Sequence, residues 1–151
     1  MSSALKDQIQ DAMKTAMKSG DKERLAVIRL MLSALKQVEV DERVELDDNR
    51  IIGILDKMLK QRRESISQYD TAGRQDLADK ERYEIDVIQT FLPQALSDEE
   101  IETIINDAIS ETGASSIREM GKVMGMVKPK IVGRADMGEV SGRIKALLNA
   151  S

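Results

Sequence analysis

The sequence predicts an all-α protein made of two small helical domains. Three observations lead there. Apolar residues recur three and four positions apart through nearly the whole chain, with no strand-like alternation of useful length. Glycines 20, 73 and 113 and Ser/Asp-x-x-Glu pairs punctuate that pattern as helix stops and starts. Pro93 falls between the halves, where it removes a helix hydrogen bond and clashes with the preceding turn.

The first helix is expected over about Ser3 to Lys18, carrying Leu5, Ile9, Ala12, Met13 and Ala16, with Gly20 as its end. Asp21 caps the second, whose stripe is Leu25, Ile28, Leu32, Leu35 and Val38. The acidic run Glu39, Asp41, Glu42, Glu45, Asp47 and Asp48 is weakly periodic and reads as a connection. The third helix covers about Asp48 to Ala72, with Ile51, Leu55, Met58, Leu59, Ile66 and Tyr69, and Gly73 closes it. The fourth covers about Gln75 to Leu92, with Leu77, Ile85, Ile88 and Phe91.

Beyond Pro93, Ser97-x-x-Glu100 is a capping box: the serine oxygen accepts a free amide and the glutamate reciprocates. The fifth helix then ends at Gly113. Ser116-x-x-Glu119 reads as a second box opening helix six, and Pro129 marks the end of that helix, with a kink as the alternative. Asp136-x-x-Glu139 precedes helix seven, with Val140, Ile144, Leu147 and Leu148. The boundary at Leu92 to Ser97 leaves an N-terminal four-helix domain, residues 1–92. A C-terminal three-helix bundle, residues 97–151, lies near the lower size limit for an autonomous core.

Composition narrows the chemistry. The 151 residues include no cysteine and no histidine, so Ser-His-acid triads, cysteine nucleophiles and the usual zinc sites are excluded. No metal ligand set and no cofactor are expected. Ser33-Ala34-Leu35-Lys36 matches S-x-x-K without its partner motifs, and reads as a helix with Leu35 inward and Lys36 solvated. The acidic run does not follow the calcium-loop pattern. Lys60, Arg62 and Arg63, with Arg74 after the turn, form a basic cluster open to phosphate or to pairing with Asp70, Asp76 or Glu81, and salt-laced surface is the favoured reading. Tyr69 reads as core. No apolar run is long enough to span a membrane and no cleavable signal opens the chain, so a cytoplasmic location is expected.

Charge is unevenly distributed. The net charge is −4, yet residues 114–151 hold seven basic groups against three acids, and Met120 to Ala135 contains no acid. The segment GKVMGMVKPKIVGRAD, residues 121–136, concentrates this excess. It lacks the Walker pattern and no strand precedes it, so it is not a nucleotide loop. Gly121 and Gly125 share a helix face that lets a neighbouring helix or a ligand backbone come close. Gly133 supplies a positive φ for a turn, and Asp136 caps the next helix. Lys122, Lys128, Lys130 and Arg134 gather around this turn and suit phosphate oxygens. All three aromatics lie earlier in the chain, so any nucleic acid here would be read by phosphate, ribose and shape rather than by base stacking.

Several stretches resemble the YqeY family of small bacterial proteins: AMKSGDKERLAVIRLMLSALK at 16–36, KQRRESISQYDTAGRQDLADKE at 60–81, FLPQALSDEE at 91–100 and ETGASSIREMGKVMGMVKPKIVGRAD at 111–136. The resemblance covers almost the whole chain and implies an all-helical, two-part fold. The C-terminal part is similar to the tail domain of the B subunit of the tRNA-dependent amidotransferase. That enzyme converts misacylated Glu-tRNA(Gln) or Asp-tRNA(Asn), and its tail helps hold tRNA. The tail's pattern maps onto Gly121, Val123, Met124, Gly125, Lys130, Gly133, Arg134, Ala135 and Val140. A related domain is fused to some glutaminyl-tRNA synthetases.

The resemblance implies a non-enzymatic binder of tRNA or structured RNA, accessory to aminoacylation or transamidation. Carbon–nitrogen ligase chemistry with a glutamine donor belongs to the host enzyme's catalytic portion, which has no counterpart in 151 residues. Two other readings remain open. One is a protein adaptor for a tRNA synthetase or amidotransferase, with Met120, Met124 and Met126 lining a groove. The other is a small-molecule enzyme with a carboxylate-lined cleft.

Overall fold

The computed structural model describes residues 3–149, and every regular element among them is helical. The chain divides into two compact units at the Leu92–Pro93 bond.

The first unit contains α1 (Ala4–Ser19), α2 (Lys22–Glu42), α3 (Asp48–Thr71) and α4 (Gln75–Gln89). Local chemistry sets their starts. The side chains of Ser3, Asp21 and Asp47 accept the amides of Lys6, Arg24 and Arg50, each such cap contributing about 1 kcal/mol. Gly20 closes α1 in the left-handed region at φ 73°, with its own amide returned to Met17 and that of Asp21 to Ala16. The fully buried Ile9, Ile28, Met31, Leu35, Ile51, Leu55, Leu59 and Ile88 form the core, each contributing roughly 1.5–3 kcal/mol of transfer free energy.

Three expectations for this unit need correcting. The acidic run is not all connection, because α2 continues through Glu39, Asp41 and Glu42 before Arg43 turns left-handed at φ 54°. Tertiary and local contacts hold that last stretch helical: Glu39 pairs with Lys6 at 3.0 Å, and Gln37 donates to Asp41. The buried face of α2 is Val27, Ile28, Met31 and Leu35, while Leu25, Leu32 and Val38 only flank it. Finally, α4 ends at Gln89. The amides of Thr90, Phe91 and Leu92 bond back three residues, a tightened exit ahead of Pro93. Its buried face is Ala78, Glu84, Val87 and Ile88, because α4 packs on both α3 and α2.

The second unit contains α5 (Asp98–Thr112), a 3-10 turn (Ile117–Glu119), α6 (Met120–Ile131) and α7 (Met137–Asn149). Its core is built on a regular spacing: Ile101, Ile105 and Ala108 on α5, Val123, Val127 and Ile131 on α6, and Val140, Ile144 and Leu148 on α7. Both reciprocal bonds of the Ser97–Glu100 capping box are formed. The second box is not: Ser116 makes no side-chain cap, and the chain winds into α6 through the 3-10 turn.

Pro129 does not terminate α6 but lies in its last turn. The amide it lacks would have paired with the Gly125 carbonyl. Gly125 is exposed, so water can satisfy that oxygen, and the helix completes its turn to bury Ile131.

Candidate nucleic-acid interface

The α6 helix presents two different faces. Val123, Val127 and Ile131 are wholly buried. Gly121, Lys122, Gly125, Lys128, Pro129 and Lys130 are exposed. A methyl group placed on Gly121 or Gly125 would meet nothing within 4 Å. Among the described residues no helix packs on the glycines, so the close approach they allow is directed to solvent and whatever arrives from it.

Lys122, Lys128 and Lys130 enter no ion pair among the described residues. Lys122 and Lys128 are separated by about 9 Å of helix rise. Around the helix axis these two lysines are about 120° apart and flank Gly121 and Gly125, and Arg118, exposed in the 3-10 turn four positions before Lys122, adds a further cation. Sequence reasoning missed it because the glycine-rich segment begins three residues later; the signal was its spacing from Lys122.

Arg134 behaves differently from the lysines. It is half-buried, and its Nε donates to the Gln94 carbonyl at 3.1 Å. Its own carbonyl accepts the Leu96 amide at 2.9 Å. The Ser97 amide and hydroxyl, with Arg134's charge adding to them, hold the Glu100 carboxyl below its ordinary range against the effect of burial. Arg134 thus ties the segment before α5 to the turn between α6 and α7.

That turn keeps its amides for itself. Gly133 is buried at φ 75°. The amides of Val132, Arg134 and Ala135 bond to the carbonyls of Lys128 and Ile131, and Asp136 Oδ1 accepts the Gly138 amide at 3.1 Å. The start of α7 is therefore occupied by a carboxylate, and the basic surface is the exposed side of α6. Met120, Met124 and Met126 are half-buried and pack on the core of this unit instead of lining an open groove.

Elsewhere, the Arg62 cluster is not simply salt-laced surface. Arg62 faces Glu84 across α3 and α4 at 3.7 Å, with side chains 14% and 9% exposed. Of the expected pairings, Arg74 with Asp76 is formed at 3.1 Å, while Asp70 goes to Arg82. Tyr69 is half-buried and stands outside the core cluster. Among the described residues, no group of three or more acids could hold a metal ion, and no helix is long and apolar enough to cross a membrane.

Known proteins resemble this chain along most of its length. Residues 6–148 match the family described as Yqey-like protein. "Altered inheritance of mitochondria protein 41, mitochondrial" from Vanderwaltozyma polyspora is 34% identical over 116 residues, 72% of this chain and 62% of that protein. The protein of the same name from Pyrenophora tritici-repentis is 29% identical over 146 residues, 95% of this chain and 80% of that protein. The one from Eremothecium gossypii is 37% identical over 95 residues, 60% of this chain and 52% of that protein. The chain thus spans about three fifths of the length of the first of these relatives. These relatives overturn the expectation of a bacterial, cytoplasmic protein, since they are fungal and their names place them in mitochondria. The cytoplasmic expectation rested on missing signals and spans, and a missing signal carries no address; the bacterial one came with the family resemblance.

Proposed function

The chain belongs to the Yqey-like protein family, and on that premise we propose that it binds structured RNA, tRNA first, through the exposed face of α6. The observation that carries this reading is an acid-free helix face, cationic and smooth, with no neighbour packed on it among the described residues. Arg118, Lys122, Lys128 and Lys130 contact phosphates, and Gly121 and Gly125 let the ribose edge approach the helix backbone. Arg134 holds the turn after Lys130 in place. The role is binding accessory to aminoacylation or transamidation, with no chemical step of its own. The choice of tRNA rests on the likeness of the second unit to the amidotransferase tail. The adaptor reading loses support because the three methionines it requires pack inward.

Fluorescence anisotropy of labelled tRNA with the full-length chain tests this. Affinity should fall steeply with salt. Replacing the four cations by alanine should make the log–log slope shallower by about one for each phosphate no longer neutralised. Absence of binding at low salt, or an unchanged slope in the four-site variant, defeats the proposal.

A further inference from the structure

We propose that the groove between α1 and α2 is a docking site for an acidic amphipathic helix of a protein partner. The Lys6–Glu39 pair, at 3.0 Å, sets the start of α1 against the end of α2, so the two helices run antiparallel. Between them lies a groove of about 610 Å³. Its apolar lining is Met13, Leu32 and Val40, and its basic rim is Lys6, Lys14 and Lys36.

Two features make this groove an unfilled surface and not a seam of the fold. Val40 is 62% exposed, and Met17, one turn beyond Met13 on α1, is 53% exposed. One large apolar side chain in the lining and one a turn beyond it are left in water, as on an interaction surface. The distance from Leu32 to Val40 is about 12 Å along α2, enough for two turns of a docked helix. Helix-in-groove binding uses anchors at that spacing.

Charge selects the occupant. Among the described residues that line the groove the one acid, Glu39, is already taken by Lys6. Lys14 and Lys36 are exposed and in no ion pair among the described residues. A chain of net charge −4 thus carries a positive rim around apolar side chains. Carboxylates flanking an apolar stripe complement both parts at once. RNA fits less well, because its backbone offers nothing to Met13, Leu32 or Val40, and no aromatic lines the groove to receive a base.

The test uses the full chain and two fluorescein-labelled synthetic helical peptides with the same leucine stripe, flanked by glutamates in one and lysines in the other. The glutamate peptide should bind, and the lysine peptide should bind at least tenfold more weakly. Lys14→Glu with Lys36→Glu should weaken the glutamate peptide about tenfold or more, and Val40→Gln by several-fold, with circular dichroism unchanged. Both sets of substitutions are at exposed positions. No binding of the glutamate peptide, equal binding of the two peptides, or indifference to the substitutions overturns the proposal. So does tRNA displacing the peptide and losing affinity in the Lys14/Lys36 variant, which would make the groove an RNA surface. Loss of tRNA binding in the α6 variants leaves this result untouched, so the two proposals fail separately.

Discussion

Arg62 on α3 and Glu84 on α4 form a buried, imperfect ion pair. They are 3.7 Å apart, Arg62 Nη1 also donates to the Met58 carbonyl, and Arg62 Nε has no partner among the described residues. Burial and the Glu84 charge together push the neighbouring Glu81 carboxyl above its ordinary range. Removing Glu84 would strand a guanidinium between the helices.

Glu84→Ala and Arg62→Ala should each destabilise the protein by about 3 kcal/mol, read from urea unfolding. Arg62→Met combined with Glu84→Leu should recover most of that loss, because apolar packing avoids the desolvation of both charges. Single-variant losses below about 1 kcal/mol would mean the pair is in effect solvated.

Asp48 links the starts of two helices. It opens α3 and accepts from the Ser3 hydroxyl and from the Leu5 amide at 3.1 Å. The Ser3 hydroxyl, then the Leu5 amide, lower its pKa from the ordinary 3.8, with burial opposing. A carboxyl with a lowered folded pKa contributes stability above its unfolded value and loses it as pH falls through the folded one. The urea midpoint should therefore drop as pH falls below the ordinary 3.8. In Asp48→Asn that segment of the pH profile should flatten. A variant profile parallel to wild type would place the acid sensitivity elsewhere.

Arg134 and the lysines of α6 should separate in their effects. Arg134→Met removes the bond to the Gln94 carbonyl and should cost about 1 kcal/mol of stability. Ser97→Ala should cost a similar ~1 kcal/mol by opening the capping box. Because Glu100 couples the two, the double variant should be non-additive. The salt slope of tRNA binding should stay near wild type in Arg134→Met. A slope change as large as that of a lysine variant would return Arg134 to the phosphate-binding set.

What was legible in the sequence was local. Ser3, Asp21, Gly20 and the Ser97 box act within a turn of themselves, so their residues announce them. Helix phase was less legible: one residue of rotation exchanges Leu32 for Met31 on the buried face of α2, and both are apolar. The Arg62–Glu84 pair depends on the phases of two helices at once. Arg134 read as a free cation because its partner carbonyl lies forty positions earlier. Pro129 misled for a related reason, since an exposed glycine four residues back removes much of its penalty.

Gly125 gives the sharpest separation between folding and binding. Among the described residues nothing lies within 4 Å of where its side chain would begin, and its φ is not in the left-handed region. Gly125→Ala should therefore stabilise the second unit by up to about 1 kcal/mol, through helix propensity and a smaller unfolded ensemble. Gly121→Ala should behave alike. A ligand backbone that uses the smooth face would be pushed out by a larger group, so Gly125→Leu should keep the fold and weaken tRNA binding by tenfold or more, with the salt slope little changed. Thermal unfolding and anisotropy on the same samples read both quantities. If Gly125→Leu binds as wild type does, the glycines are not an approach surface, and the cations alone account for any RNA affinity.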